Sequence, residues 1–507
     1  MRETSLNHNL RPVRGHLLAR NVVWNLLGLA APLLVAVPAV PRLIRGVGID
    51  RFGVLTLAWV VIGYFSLFDF GFGRALTKLV AEKLGAGRTE DIPPLFWTSL
   101  VLMLLFGGLG AAVMAVLSPW LVHSVLRIPA TIQVETLRAF YVLAASVPVV
   151  IATTALRGFL EAYQRFRAST AVRIPLGVFT FAGPLLVLPF SANLLPIVGI
   201  LVLARLLACI ALWVLCVRTD PALSDGIVIS WDLVSLLFRF GGWMTVTSIV
   251  SPLMASLDRF LIGAVVSISA VAYYATPSEV VIKLLIIPSA IAGVLFPAFS
   301  SGFAQDTTRT RLLFVRGVKY TFLAIFPFIL IVIVFASEGL RLWVGAEFAR
   351  HSTAVLQLLT IGVFFNGISN TPFALVQGVG RPDITGKLHL IELPAYVILL
   401  WFLVTKFGIV GAAIAWTTRV TLDSVLLFLV AGRLLPGSAP GIRKMLLSSL
   451  GALFVLILSA LPVPLPIKLI FLLLASGVFG LATWFVVLTP AEKAYIWNRG
   501  SSSLAES

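Results

Sequence analysis

Three arginines stand inside long apolar runs, Arg205, Arg259 and Arg419. An arginine at the centre of a bilayer costs about 2.5 to 3.5 kcal/mol on insertion scales, so it is kept there to face a cavity or a partner. A guanidinium presents a planar fork of donors that matches carboxylate and phosphate groups. The chemistry open to these residues is therefore recognition of an anion, with pairing to a carboxylate of a neighbouring helix as the structural alternative. The run holding Arg205 has no carboxylate, whereas Arg419 precedes Asp423 by the i,i+4 spacing that puts both on one helix face. Arg259 directly follows Asp258, and consecutive residues point about 100° apart around a helix, so at least one of them needs another partner. Glu279 and Lys283 lie at similar expected depth, at the start of the next helix, and Arg42 and Arg45 close the first one. These groups form either an ion-pair cluster, an outer gate or a cationic wall. Asp69 and Arg74, in Phe68-Asp69-Phe70-Gly71-Phe72-Gly73-Arg74, suit a structural pair or a helix cap. The Asp-Phe-Gly string inside them lacks the strand lysine and catalytic loop of a kinase.

The elements that must position these residues are membrane spans. Of 507 residues 59% are apolar and only 12% charged, with mean hydropathy +1.03, where a soluble domain is about 25% charged. The segments 92–122, 174–204, 284–305, 445–467 and 469–491 contain no Lys, Arg, Asp or Glu. With turn signals and flanking charges, the pattern predicts fourteen helices near 21–43, 52–73, 94–118, 137–156, 172–190, 195–217, 241–264, 280–302, 318–337, 353–377, 387–405, 408–432, 445–463 and 468–489. No room remains for a large extramembrane catalytic domain.

Net charge +17 has an ordinary cause. Of the 38 basic residues, 25 fall in the N-terminal tail and alternate loops, 10 on the other side, and three inside spans. The positive-inside rule then puts both termini in the cytoplasm. The N-terminal apolar run is too long for an ordinary signal peptide and reads as a retained first helix. Nothing in the chain resembles a nucleic-acid-binding domain. The five histidines are scattered, no His-Glu-x-x-His or metal-ligand cluster appears, and Gly386-Lys387 is followed by Leu388 rather than the hydroxyl residue of a phosphate-binding loop. No metal, cofactor or catalytic residue is expected. Cys209 and Cys216, two turns apart on one helix, are too distant for a disulfide.

The chain also matches itself at an offset near 220 residues. Pro32 falls on Pro252, Phe52-Gly53 on Ala272-Tyr273, and Arg88 one residue from Arg309; Ile197-Val198-Gly199 recurs as Ile409-Val410-Gly411, each followed by an arginine. The expected architecture is an all-α integral membrane protein with two pseudo-symmetric six-helix lobes around a central cavity: an N-terminal lobe 1–217, a cytoplasmic linker 218–240, a C-terminal lobe 241–433, and two appended helices with a tail, 434–507. Repeated lobes of this kind belong to alternating-access transporters.

Asn25 to Pro41 leading through Gly48 and Phe52-Gly53, Phe68-Asp69-Phe70-Gly71 with Arg74, Leu257-Asp258-Arg259-Phe260-Leu261-Ile262-Gly263 before Val271-Ala272-Tyr273-Tyr274-Ala275, Leu295-Phe296-Pro297 and Gly408-Ile409-Val410-Gly411-Ala412-Ala413 carry a resemblance over nearly the whole chain. In order and spacing it resembles the multidrug/oligosaccharidyl-lipid/polysaccharide exporter superfamily, in its Wzx-like polysaccharide flippase branch. That resemblance implies a multi-pass inner-membrane flippase moving undecaprenyl-diphosphate-linked glycan for cell-surface polysaccharide such as lipopolysaccharide O-antigen, without enzymatic activity. A polysaccharide polymerase or assembly complex is the implied protein partner. Many members have twelve helices, and the appended pair is similar to fourteen-helix cell-wall-precursor flippases. The rivals are a cation-coupled multidrug exporter of the same superfamily, for which Glu392 and Asp423 are the supporting carboxylates, a non-transporting scaffold, and a membrane glycosyltransferase.

Overall fold

The computed structural model describes residues 31–32, 34–64, 72–235, 253–254, 256–302, 306–488, 490 and 493. Among them every regular element is helical, and ten helices are long and apolar enough to cross a membrane. In lipid the backbone has no water to bond, so a span must satisfy its N–H and C=O groups internally, and helices do so. The chain divides into two compact units, residues 1–124 with 129–249, and residues 125–128 with 250–507.

The first unit contains α1 (31–47), α2 (Ile49–Tyr64), α3 (Phe72–Gly85), α4 (Ile92–Trp120), α5 (Ala130–Ala162), α6 (Phe166–Val187) and α7 (Leu194–Thr219). Its most enclosed span is α5, against which α2, α3, α4, α6 and α7 pack. Without a hydrophobic force between helices in lipid, close packing depends on small residues. Gly158 of α5 is one such place. A Cβ there would meet Thr77 Oγ1 at 2.7 Å and the Gly73 carbonyl at 3.0 Å, while Thr77 donates to the carbonyls of both glycines. Arg51 of α2 is tied to Glu135 of α5 at 2.6 Å, and Glu135 also accepts from the backbone N–H of Leu194, the first residue of α7. Beyond the spans Tyr163 donates to Asp220; burial and that carboxylate push its phenol above the usual tyrosine range, so it remains a donor.

The second unit contains α8 (253–265), α9 (Ile268–Ile282), α10 (Ile286–Gly302), α11 (Thr307–Val334), the short α12 (Ala336–Trp343), α13 (Ala346–Gly378), α14 (Pro382–Leu434), α15 (Ala439–Ser459) and α16 (Leu465–Ala482). Here α13 is the enclosed span, packed by α9, α10, α11, α12 and α14. The appended α15 and α16 lie against α11. Lys468, buried at the start of α16, reaches Glu338 of α12 at 2.9 Å, and Phe326 of α11 stacks with Phe479 at 4.7 Å.

Two expectations change. The helix expected from residue 280 begins at Ile268, because the Ser267 side chain accepts from the Ala270 N–H and caps it. Glu279 therefore lies in the last turn of α9 and Lys283 directly after it, not at the start of a span. The segments expected as 387–405 and 408–432 are continuous helix except at Gly408, whose φ of 56° and ψ of −135° suit glycine alone. At 1.5 Å per residue the 53 residues of α14 would reach about 80 Å, more than twice a bilayer core, so the reversal at Gly408 makes two antiparallel arms. The expected helices near 137–156, 318–337 and 353–377 run longer, as α5, α11 and α13.

Candidate functional site

In the first unit the residue of interest is Arg205. The buried residues of α7 are Leu194, Ile197, Val198, Leu201, Ala208, Leu212 and Cys216, a stripe at helical spacing. Arg205 continues it, one turn after Leu201 and three residues before Ala208. The other face carries exposed Leu203, Leu206, Leu207, Ile210 and Val214, the side suited to lipid. Arg205 is half-buried, and its guanidinium donates to the Leu201 carbonyl at 3.0 Å. Among the described residues no carboxylate pairs with it. A cation on the packed face of a span, with one backbone oxygen for company, retains most of its donors for a ligand.

The second unit handles its cations differently. Asp258 of α8 is 2% exposed and accepts from the Arg259 backbone N–H and from the Tyr274 hydroxyl of α9. The Arg259 side chain reaches Glu279 Oε1 at 2.9 Å, and Lys283 lies 3.9 Å from the other oxygen of that carboxylate. Asp258 and Arg259 thus turn to different partners, as their angular separation requires.

A second group forms across the reversal at Gly408. His389, Glu392 and Tyr396 line one arm of α14, Arg419 and Asp423 the other. Arg419 Nη1 is 3.9 Å from Glu392 Oε2 and its guanidinium carbon stands 5.3 Å above the Tyr396 ring, within cation–π range. It also touches Met254 Sδ of α8 at 4.0 Å. His389 Nε2 lies 3.9 Å from Asp423 Oδ1. One donor atom from each of His389, Glu392 and Asp423 lies within 4.8 Å of the others. Glu392 and Asp423 are 6% and 7% exposed, yet both oxygens of Glu392, Oδ1 of Asp423 and Nε of Arg419 have no hydrogen-bond partner among the described residues. The expectation of scattered histidines without a ligand-like cluster is corrected here. His389 meets two carboxylates that are remote along the chain because the turn sets the register of the two arms. Arg419 and Asp423 do share a face, but the carboxylate nearest Arg419 is Glu392.

The remaining expected residues are not brought to these groups. Arg45 is exposed near the end of α1, with no ion pair among the described residues. Asp69 lies outside the described residues, as does the side chain of Arg74, whose backbone belongs to α3. Cys216 is buried against the Leu156 carbonyl, and both cysteines are free. A recess of about 410 Å³ at the start of α4 is bordered by Glu90, Asp220 and Asp225 and so offers nothing to an anion. Sequence reasoning missed His389 and Tyr396 as members of a site. The signal available was their spacing with Glu392, which sets all three on one arm.

The family model described as polysaccharide biosynthesis protein matches residues 42–353. A putative O-antigen transporter of Shigella flexneri is 34% identical over 409 residues, covering 80% of this chain and 96% of that protein. Among solved structures, the lipid II flippase MurJ in an inward closed conformation aligns with TM-score 0.69 at 12% identity, over 92% of this chain and 99% of that one. An inward-facing multidrug resistance transporter of the MATE family aligns with TM-score 0.65 at 14% identity, over 83% and 99%. These two likenesses are of fold. Taken with the transporter relative and the family match, they place the chain in the polysaccharide biosynthesis protein family, the Wzx-like branch of the multidrug/oligosaccharidyl-lipid/polysaccharide exporter superfamily.

Proposed function

We propose that this multi-pass membrane protein flips a lipid-linked oligosaccharide from the cytoplasmic to the periplasmic leaflet of a bacterial inner membrane, with undecaprenyl diphosphate as the carrier lipid. It is a transporter and not a catalyst, in keeping with its O-antigen transporter relative. The finer architecture in this reading is fourteen spans, two pseudo-symmetric six-helix lobes working by alternating access, an appended pair, and both termini in the cytoplasm. A polysaccharide polymerase or assembly complex receives the product.

The observation that carries the reading is Arg205 on the packed stripe of α7, away from the exposed apolar face and answered by no carboxylate among the described residues. A diphosphate cannot cross hydrocarbon with its charge bare. Charge-assisted bidentate contacts from a guanidinium replace part of its hydration, while the polyprenyl tail stays in the bilayer. Arg259 with Lys283, Arg419 and Arg45 extend the cationic set in this reading, and Asp258, Glu279, Asp423 and the Asp69–Arg74 pair serve as ion-pair or gating groups.

Complementation of a flippase-null strain tests it. Arg205→Ala abolishes surface polysaccharide while the protein inserts and accumulates normally, and full activity in that variant sinks the proposal. Arg205→Lys retains part of the activity if charge alone suffices and none if the bidentate geometry is required.

A further inference from the structure

Four side-chain amides stand on α13, and they are used in two ways. Gln357 Nε2 donates to the carbonyls of Ile333 and Ala460, and Gln377 Nε2 donates to Thr385 Oγ1 at 2.9 Å. Both tie α13 to neighbouring elements, the ordinary use of an amide between membrane helices. Asn366 and Asn370 do not. Asn370 donates to the Asn366 main-chain carbonyl within its own helix, and the Asn366 amide bonds to nothing among the described residues. Their position sets them apart as well. From Leu359 to Val376 every residue of α13 is buried except Asn366, Asn370 and Phe373, the rest being covered where α9, α10, α11, α12 and α14 pack. Steps of four and three residues put these three on one helix face. A Cβ on Gly367 would lie 3.0 Å from Pro288 Cγ, so α10 walls one side of that face. Amides opening from the middle of an enclosed span do not suit lipid, where an unbonded polar group is costly.

We infer that Asn366, Asn370 and Phe373 form a face that receives a sugar ring of the lipid-linked glycan. This rests on the flippase reading, which assigns the diphosphate to Arg205, and it names the groups that take the uncharged part of the same substrate. The face has no charge of its own, since α13 has no titratable side chain between His351 and Gly378. An ion finds no counter-charge on it. A sugar hydroxyl both donates and accepts, and a carboxamide offers two donors and an acceptor in one plane, so each asparagine can hold neighbouring hydroxyls. Asn370 has one N–H engaged inside the helix; its oxygen, its other N–H and the whole Asn366 amide are open to a ligand. Phe373, 38% exposed, lies one turn beyond Asn370. The negative face of its ring suits the weakly positive C–H hydrogens of a pyranose. A few placed polar groups beside an aromatic surface are the usual make-up of a small-molecule site. A lipid tail would gain from the phenyl ring but leave both amides unbonded, which a hydroxyl-rich ring does not.

Titration of the purified full-length protein, read by native mass spectrometry, tests this with two probes. One is bare undecaprenyl diphosphate; the other is the diphosphate-linked oligosaccharide that accumulates in the flippase-null strain. Wild type should hold the glycan-bearing lipid about tenfold more tightly than the bare one, the worth of one or two hydrogen bonds. Asn366→Leu combined with Asn370→Leu is close to isosteric and apolar, so insertion should not suffer. It should abolish the preference while affinity for the bare lipid stays as it was. Gln357→Leu, which removes an amide engaged between elements, should lower thermal stability and leave the preference intact. Equal affinity of the wild type for the two lipids overturns the inference, as does a preference that survives the double substitution or a loss shared equally by both lipids. Such a failure leaves the flippase reading standing, because that reading is judged by Arg205 and surface polysaccharide.

Discussion

The two units contain the same unusual ingredient and treat it in opposite ways. In the first, Arg205 lies on the packed face of α7 with the Leu201 carbonyl as its partner and, among the described residues, no carboxylate beside it. In the second, Arg259 is matched by Glu279 and Arg419 by Glu392, and a further carboxylate is left over. An excess cation in one unit calls for an anion, and an excess anion in the other calls for a cation. Net charge at depth, rather than the mere presence of charged residues, separates a binding group from a structural one.

The largest expected effect comes from making the first unit resemble the second. Cys209→Glu places a carboxylate one turn after Arg205, at the spacing that pairs side chains along a helix. Surface polysaccharide should then fall as far as in Arg205→Ala although the guanidinium is still present and the protein still inserts. Retained activity would show that Arg205 need not be unpaired.

The converse change unbalances the second unit. Arg419→Ala leaves Glu392 and Asp423 buried without a cation, and breaking such a pair typically costs about 3 to 5 kcal/mol. Thermal unfolding in detergent, followed by size-exclusion fluorescence, should show a large drop that adding Glu392→Gln partly restores. Equal stability of Arg419→Ala and the parent would contradict the charge count.

A smaller loss is expected where a hydrogen bond alone is removed. Tyr274→Phe deprives Asp258 of its hydroxyl donor, which should cost about 1 to 3 kcal/mol in the same assay. At the lower end, Arg157→Ala breaks an exposed pair with Glu161 spanning 3.6 Å, worth about 0.3 to 0.5 kcal/mol for such helix pairs. A shift beyond the noise there would mean that the assay reads something other than buried charge.

Much of this contrast is legible in the amino-acid sequence. Charges are so costly in lipid that their absence marks the spans and their rare presence marks Arg205, Arg259 and Arg419. The turn at Gly408 is visible too, since it separates two apolar runs. What pairing across that turn produces is not. Whether His389 meets Asp423 depends on how the arms are registered, which the φ and ψ of one glycine decide. The start of α9 is hidden for another reason. It lies within an apolar stretch and contains Pro277, so Glu279 reads as the first polar residue of a span, whereas the Ser267 cap begins the helix well before it.

The reading stands or falls on whether the Arg205 guanidinium, paired with no carboxylate among the described residues, receives the diphosphate. Native mass spectrometry of the purified protein with undecaprenyl diphosphate tests this directly. The prediction is a lipid adduct on the wild type and on Glu392→Gln that is lost from Arg205→Ala. Equal binding by Arg205→Ala and the wild type would contradict it.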